Sequence, residues 1–200
     1  MIPSLHLAGR AQRGAAAIGA LILALSLAAC GAGDSGAGNP DSKLSVQQAT
    51  EPLKGAPPPL AGIRDQANQL LDGGLDAYNA RIGQLRGFPI VVNNWGSWCG
   101  PCRLEFPYLQ QVASERAKRV AFLGVDTDDS EGAAADFLEQ LPLPYPSYSD
   151  PDYDISDSLD VGRRLPATAF YNRSGDLVHT KIGVYTSAEE LDADIDRYTQ

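Results

Sequence analysis

The stretch WGSWCGPCRLEFP, at residues 95–107, constrains this chain more than any other part of its sequence. It holds Cys99 and Cys102, two of only three cysteines in 200 residues, and Gly-Pro separates them. An apolar run, PIVVNNW, leads into the pair, and helix-compatible residues follow it. This pattern predicts that the cysteines lie where a buried strand ends and a helix begins.

Three static roles for the pair fit the sequence poorly. A structural zinc site needs four ligands, and beyond the N-terminal region His179 is the only other soft ligand. Covalent haem attachment requires CxxCH, and here Arg103 follows the second cysteine. A disulfide that closes so short a loop removes little chain entropy. We therefore expect no metal site and no cofactor, and we expect His179 on a strand face without a catalytic role.

A redox-active dithiol accounts for more of the pattern. At a helix N-terminus, free N–H groups and the helix dipole favour the thiolate of Cys99, which is the nucleophilic form. Cys102 lies one turn further on, where it can resolve a mixed disulfide. Pro101 stiffens the turn between them. The sequence therefore predicts thiol–disulfide exchange at this junction.

The N-terminus predicts export and anchoring. Arg10 and Arg13 precede an apolar run at 15–28, which is shorter than the roughly 20 residues of a membrane-spanning helix. The run ends in LAAC, which resembles the bacterial lipobox, so we expect Cys30 to be lipidated after cleavage. Cleavage after Ala28 is the alternative, and it would leave a secreted protein with one free thiol. We expect a lipid-anchored protein at the extracytoplasmic face of the cell membrane.

Composition and periodicity divide the rest of the chain. Residues 31–59 are rich in Gly, Ser, Ala and Pro, which is typical of a flexible tether. Helical spacing follows up to Gly73-Gly74, and again up to Gly87. The predicted parts are a signal peptide, a lipidated cysteine with its tether, an N-terminal helical extension and a C-terminal domain, at residues 1–29, 30–59, 60–86 and 87–200.

The C-terminal domain shows an α/β pattern. Strands are predicted at 89–95, 119–125, 164–172 and 176–182, and helices at 99–118, 131–141 and near the C-terminus. The first of these helices should be interrupted near Pro107. Asp128 with Glu131, and Ser187 with Glu190, have capping-box spacing. Residues 141–161 predict an insert with a short strand and a short helix. This order predicts a mixed central sheet flanked by helices.

Charge narrows the range of partners. The chain has 16 basic and 25 acidic residues and a net charge of −9. Phosphate contacts need clustered Lys and Arg, so the sequence argues against nucleic acid as a partner.

Two segments carry a resemblance to a known family. VVNNWGSWCGPCRLEFP and RLPATAFYNRSGDLV resemble the thioredoxin superfamily, and within it the membrane-anchored TlpA/ResA-type thiol–disulfide oxidoreductases. The resemblance covers about residues 86–200. It implies a thioredoxin fold with a central insert, at the place of residues 141–161. It also implies that Cys99 attacks, Cys102 resolves, Trp98 flanks the site and Pro166 is a cis-proline. The backbone of Leu165 would then pair with an extended substrate.

Three polar residues close to the cysteines in sequence have expected roles of their own. Asn93 occupies the position where cytosolic thioredoxins carry a buried aspartate. Glu105, three residues after Cys102, corresponds to a glutamate of the TlpA/ResA type and could exchange protons with the Cys102 sulfur. The alternative is an ordinary exposed glutamate on the helix surface. Asn94 should need a hydrogen-bond partner if its strand is central.

The resemblance implies reduction of disulfides in exported proteins, with a membrane electron donor and with apocytochrome c as an implied substrate. Two alternatives stay open from the sequence. The pair could act as a thiol oxidase that donates disulfides. The chain could also be a peptide-binding lipoprotein that uses the groove beside Pro166 without turnover.

Overall fold

The computed structural model describes residues 45–199 of the chain. Its strands are β1 Leu70–Leu71, β2 Ile90–Trp95, β3 Ala121–Thr127, β4 Ser147–Asp150, β5 Ala167–Tyr171 and β6 Leu177–Ile182. Its α-helices are α1 Val46–Thr50, α2 Pro58–Asp65, α3 Gly74–Gln84, α4 Gly100–Glu115, α5 Glu131–Gln140, α6 Asp154–Ser158 and α7 Ala188–Tyr198, and a 3-10 turn covers Glu51–Leu53.

The six strands form one mixed sheet in the order β1-β4-β3-β2-β5-β6. The pairs β1–β4, β4–β3 and β3–β2 are parallel, whereas β2–β5 and β5–β6 are antiparallel. β2 and β3 are buried along their whole length because helices cover both faces of the sheet centre. The predicted α/β class with a mixed sheet flanked by helices is confirmed.

An aromatic cluster packs the sheet against α4 and α5. Trp95 at the end of β2 lies 5.4 Å from Phe106 and 5.1 Å from Phe137, measured between ring centroids. The Trp95 indole N–H donates to Ser147 Oγ at 3.0 Å. A side chain at Gly124 would collide with that hydroxyl, so this position requires glycine. The cluster fixes the end of β2, from which the cysteine segment emerges.

Asn94 lies on the face of β2 opposite to Trp95. Its side chain is buried, and both of its polar atoms have hydrogen-bond partners. Its amide donates to Ser156 Oγ at 3.0 Å, and its carbonyl oxygen accepts from Thr127 Oγ1. Ser156 in turn donates its N–H and its hydroxyl to the Asp150 carboxylate. The network ties β2 and β3 to α6, so Asn94 holds the insert onto the sheet.

The insert and the first turn of α5 give one confirmed and one wrong prediction. Residues 141–161 contain β4 and α6, as predicted. Asp128 does not cap α5, because the helix begins only at Glu131, three residues further on. Ser130 takes that role and accepts from Ala133 N. The predicted cap Ser187 of α7 is confirmed, since its side chain accepts from Glu190 N.

The expected tether is too long. Within residues 45–59 the chain forms α1 and a 3-10 turn, and Ala49 and Leu53 are buried. Ser114 of α4 donates to the Ala49 carbonyl at 3.2 Å. Tertiary packing of these few apolar residues overrides the Gly/Pro-rich composition, which misled the prediction. The signal peptide, Cys30 and residues up to 44 lie outside the described residues.

The helical extension predicted for 60–86 is only partly correct. α3 is confirmed, but α2 ends at Asp65, and Leu70–Leu71 form β1 on β4 rather than a helix. Asn68, with a φ of 61°, turns the chain between them. Its amide donates to Leu138 O and accepts from Leu143 N. This pairing with a distant strand outweighs the local helical spacing.

Two further features concern helix integrity and packing. α4 continues through Pro107, so the predicted interruption is wrong; buried Phe106 and Leu109 on either side hold the helix against the sheet. His179 of β6 stacks on Tyr198 with ring centroids 3.8 Å apart, a packing role. Among residues 45–199, no helix is long and apolar enough to cross a membrane.

Candidate active site

Cys99 and Cys102 are joined by a disulfide at the start of α4. Cys99 is the N-cap residue, and its sulfur accepts from the Cys102 N–H at 3.2 Å. Pro101 lies in the first turn, where a missing N–H costs no intrahelical bond. Both cysteines are buried. The predicted position at a helix N-terminus is confirmed, and after reduction this position favours a thiolate at Cys99.

The segment before β5 lies at the same end of the sheet. Ala167 begins β5 and pairs with Asn94 near the end of β2, from which the cysteine segment leaves. The preceding Leu165–Pro166 peptide bond is cis. Pro166 is buried, whereas Leu165 is partly exposed and lies outside the sheet ladder. The fold therefore brings this segment and the disulfide to the same end of the sheet, where β2 finishes and β5 begins.

An exposed apolar surface flanks the disulfide. Trp98 is 56% exposed and Leu104 on α4 is 70% exposed. The Trp98 indole N–H donates to the Asp128 carbonyl at 3.0 Å, which fixes the ring on the surface. A side chain at Gly96 would come within 2.8 Å of that indole nitrogen, so glycine is required there. Trp98 is thus held beside Cys99 while its ring stays accessible.

The loop between β3 and α5 makes a hydrogen bond to the segment that precedes Cys99. Asp129 accepts from the Ser97 N–H, a contact that the sequence did not reveal although the acidic run DTDDSE follows a buried strand. Buried Asp126 lies near Asp129 and Asp150, and burial together with these charges raises its pKa to about 8. Within the described part of the chain, no group of three or more His, Cys, Asp or Glu side chains is arranged for a metal ion.

Glu105 is fully buried one turn after Cys102 on α4, and the alternative of an exposed helix-surface glutamate is wrong. Its Oε1 accepts from Asn93 Nδ2 at 3.3 Å. Its Oε2 accepts from the Tyr185 N–H at 3.0 Å. Asn93 and Glu105 therefore meet in the core as a hydrogen-bonded pair.

Burial controls the protonation of this carboxyl. Desolvation raises the pKa of Glu105 from its ordinary value of 4.5 to about 8. The Tyr185 N–H and the positive charge of Lys181 act in the opposite direction, and the negative charge of Glu190 adds to the rise. Glu105 is thus mostly a carboxylic acid at neutral pH. Sequence reasoning did not place Tyr185, Lys181 and Glu190 at the site, because they lie far from Glu105 along the chain.

Comparison with known proteins defines the class. The family model described as Redoxin matches residues 61–195, so the chain belongs to the Redoxin family. It is 29% identical over 126 residues to the thiol-disulfide oxidoreductase ResA of Bacillus cereus, across 62% of this chain and 72% of that one. It is 32% identical over 126 residues to the thiol:disulfide interchange protein DsbE of Pseudomonas aeruginosa, across 62% of each chain.

A solved structure supports the same class of protein. The crystal structure of a secreted Mycobacterium tuberculosis disulfide oxidoreductase homologous to E. coli DsbE superposes with a TM-score of 0.52 at 29% identity, covering 57% of this chain and 85% of that one. The fold is the thioredoxin fold, and the chain is a thiol–disulfide oxidoreductase of the ResA/DsbE type with a Cys99–Cys102 disulfide. The alternative of a peptide-binding lipoprotein without turnover is therefore set aside.

The pKa of Glu105 has a consequence for stability. Because the folded-state pKa lies above the unfolded one, the protonated carboxyl is favoured in the folded state, and stability is lost as pH rises from about 4.5 to about 8. Relative to Glu105→Gln, the wild type should lose on the order of a few kcal/mol of unfolding free energy over this range. Urea unfolding of both oxidised proteins at several pH values measures this. A difference in unfolding free energy that stays constant with pH would contradict the raised pKa of Glu105. Asp126 is present in both proteins, so its own pH dependence cancels in the difference.

Proposed function

We propose that this protein reduces disulfides of exported proteins at the extracytoplasmic face of the cell membrane, through the Cys99/Cys102 dithiol. One observation carries the proposal: a disulfide at a helix N-terminus is followed, one turn further along the same helix, by a fully buried carboxyl, Glu105. The Gly-Pro dipeptide supports the reducing direction, since it matches that of reducing thioredoxins, which have potentials near about −270 mV.

The proposed reaction moves two electrons to the substrate. The Cys99 thiolate attacks one sulfur of the substrate disulfide, which releases the other sulfur as a thiolate and forms a mixed disulfide. Cys102 then attacks the Cys99 sulfur, so that the second substrate sulfur leaves and the Cys99–Cys102 disulfide forms. The substrate takes up two protons and departs as a dithiol. A membrane electron donor would restore the dithiol.

Glu105 is the proposed proton partner of Cys102 in both directions. When a donor thiolate breaks the Cys99–Cys102 disulfide, Cys102 leaves as a buried thiolate, which is costly without a proton. The protonated Glu105 would supply that proton and become a carboxylate. In the reducing half-reaction the carboxylate would take the proton back, which frees the Cys102 thiolate to attack Cys99. The proton thus cycles between the two groups.

We propose substrate-binding roles for Trp98, Leu165 and Pro166, and their placement supports these roles. Trp98 offers an accessible apolar ring beside Cys99. Leu165 lies two residues before Ala167, the first residue of β5, so its backbone groups would be available to an extended substrate strand. We propose that an unfolded or extended cysteine-containing segment lies between them. The resemblance extends this proposal to apocytochrome c thiols.

Anchoring is proposed from the sequence. The signal at residues 1–29 would direct export, lipidated Cys30 would hold the chain at the membrane, and residues up to 44 would act as the tether. The limit of 87–200 for the thioredoxin-like part belongs to the same proposal, whereas the extension begins before residue 60, because residues 45–59 already contain helical turns. A Cys30→Ala variant should move from the membrane fraction to the soluble fraction, and an unchanged membrane fraction would count against the anchor.

The direction of electron flow is tested by the reduction potential of the Cys99/Cys102 couple. Equilibration of the purified protein with thiol–disulfide buffers should give a value near that of reducing thioredoxins, about −270 mV. The measurement uses a variant without Cys30, so that only the two site thiols titrate. A potential near that of strong oxidants, about −120 mV, would instead favour a thiol oxidase.

The role of Glu105 is tested by the pH profile of disulfide exchange. Reduction of the Cys99–Cys102 disulfide by a small dithiol should show an inflection near pH 8 in the wild type, because Glu105 titrates there. Glu105→Gln should lose that inflection and react several-fold more slowly below it. Glu115→Gln, at an exposed position at the end of the same helix, is the matched control. Identical profiles for Glu105→Gln and wild type would remove the role.

A further inference from the structure

The buried face of Glu105 is closed by a loop far away in sequence. This loop, residues 183–187, connects β6 to α7, and its Tyr185 N–H donates to Glu105 Oε2. A backbone donor keeps its direction only if the loop keeps its shape. The loop conformation therefore decides how one oxygen of the carboxyl is satisfied.

An ion pair clamps this loop from both sides. Lys181 Nζ on β6 lies 2.8 Å from Glu190 Oε1 on α7. The other Glu190 oxygen accepts from the Thr186 N–H at 3.0 Å and from its hydroxyl at 3.1 Å. Lys181 also donates to the Val184 carbonyl at 3.4 Å. The pair therefore contacts the loop on each side of Tyr185.

The Tyr185 side chain is held by the same elements. Lys181 Nζ lies 3.9 Å from the centroid of the tyrosine ring, a cation–π contact. The Tyr185 hydroxyl donates to Asp194 Oδ2 at 3.0 Å, one turn further along α7. Ring, hydroxyl and backbone are thus each fixed, and the N–H is aimed at Glu105.

Strand register explains how an edge-strand lysine acts on a buried carboxyl. Lys181 pairs with Thr168 of β5, and Thr168 pairs with Asn93 of β2. Paired residues point to the same face of a sheet, so Lys181 and Asn93 share the face on which Glu105 packs. Asn93 touches the carboxyl directly, whereas Lys181 acts on it by charge.

We propose that the Lys181–Glu190 pair forms a positioning layer that holds the β6–α7 loop on Glu105 and governs the proton exchange of Glu105 with Cys102. This inference rests on the proposed role of Glu105. Lys181 stabilises the carboxylate and Glu190 stabilises the carboxylic acid, so the two charges oppose each other. Their side chains are 22% and 40% exposed, so salt screens both effects.

The other groups that face Glu105 do not form a pair of opposing charges. Cys102 lies on the same helix, Asn93 approaches from β2 without charge, and Tyr185 approaches from the loop. Tyr145, from the segment before β4, is buried, and the Glu105 charge helps to raise the pKa of its phenol, so it stays neutral. Lys181 and Glu190 are therefore the two groups that both act on Glu105 by charge and contact the loop that closes over it.

The experiment measures the pH midpoint of disulfide reduction by a small dithiol in four variants of the full chain. Lys181→Met should raise the midpoint and Glu190→Gln should lower it, each by about 0.3–1 pH unit. In the double variant the opposing charges cancel but the Lys181 contacts to Val184 and to the Tyr185 ring are lost, so the midpoint should stay above that of the wild type and below that of Lys181→Met. Lys181→Arg keeps the charge and should also keep the wild-type midpoint. Lys54→Met, which removes the exposed Lys54–Glu51 pair, is the control.

The outcomes separate the inference from the proposed function. Opposite shifts that vanish in a Glu105→Gln background support the positioning layer. Shifts in the same direction, or shifts that persist in that background, overturn it. If Glu105→Gln changes the profile and neither charge variant does, the layer alone fails. If Glu105→Gln leaves the profile unchanged, the proposed role of Glu105 fails and the layer fails with it.

Discussion

The burial of one carboxyl, Glu105, is the constraint on which the site depends. A carboxylate in the core costs free energy unless donors reach it, and a carboxylic acid costs less. The protein supplies the Asn93 amide and the Tyr185 N–H, which is enough to hold the group in place but not enough to keep it ionised at neutral pH. The result is a buried carboxylic acid one turn after Cys102, a cysteine that itself has no access to solvent.

The central strand β2 connects the Glu105 carboxyl to the rest of the fold. On one face Asn93 meets Glu105, and on the other Asn94 joins the network of Thr127, Ser156 and Asp150 that holds the insert. The two adjacent asparagines thus serve opposite faces of one strand. At its end, Trp95 packs into the aromatic cluster and sets the direction in which the cysteine segment leaves the sheet.

Local patterns in the sequence predicted the parts whose structure is locally determined. The strand–cysteine–helix junction, the hairpin strands β5 and β6, and the Ser187 cap are of this kind. β1 was not predictable from its own residues, because Leu70–Leu71 have helical spacing and become a strand only by pairing with β4. The fold of residues 45–59 likewise depends on a distant helix. Asp129, Tyr185, Lys181 and Glu190 enter the site only through tertiary contacts, so no local spacing could identify them.

The central claim is that Glu105 exchanges protons near neutral pH, and a direct titration of its carboxyl tests it most sharply. Carbon-13 NMR of the oxidised protein with labelled glutamate follows each side-chain carboxyl through pH, and the Glu105→Gln variant identifies the resonance that belongs to Glu105. The account predicts a pKa of about 8 for this carboxyl. A titration near the ordinary glutamate value of 4.5 would contradict it.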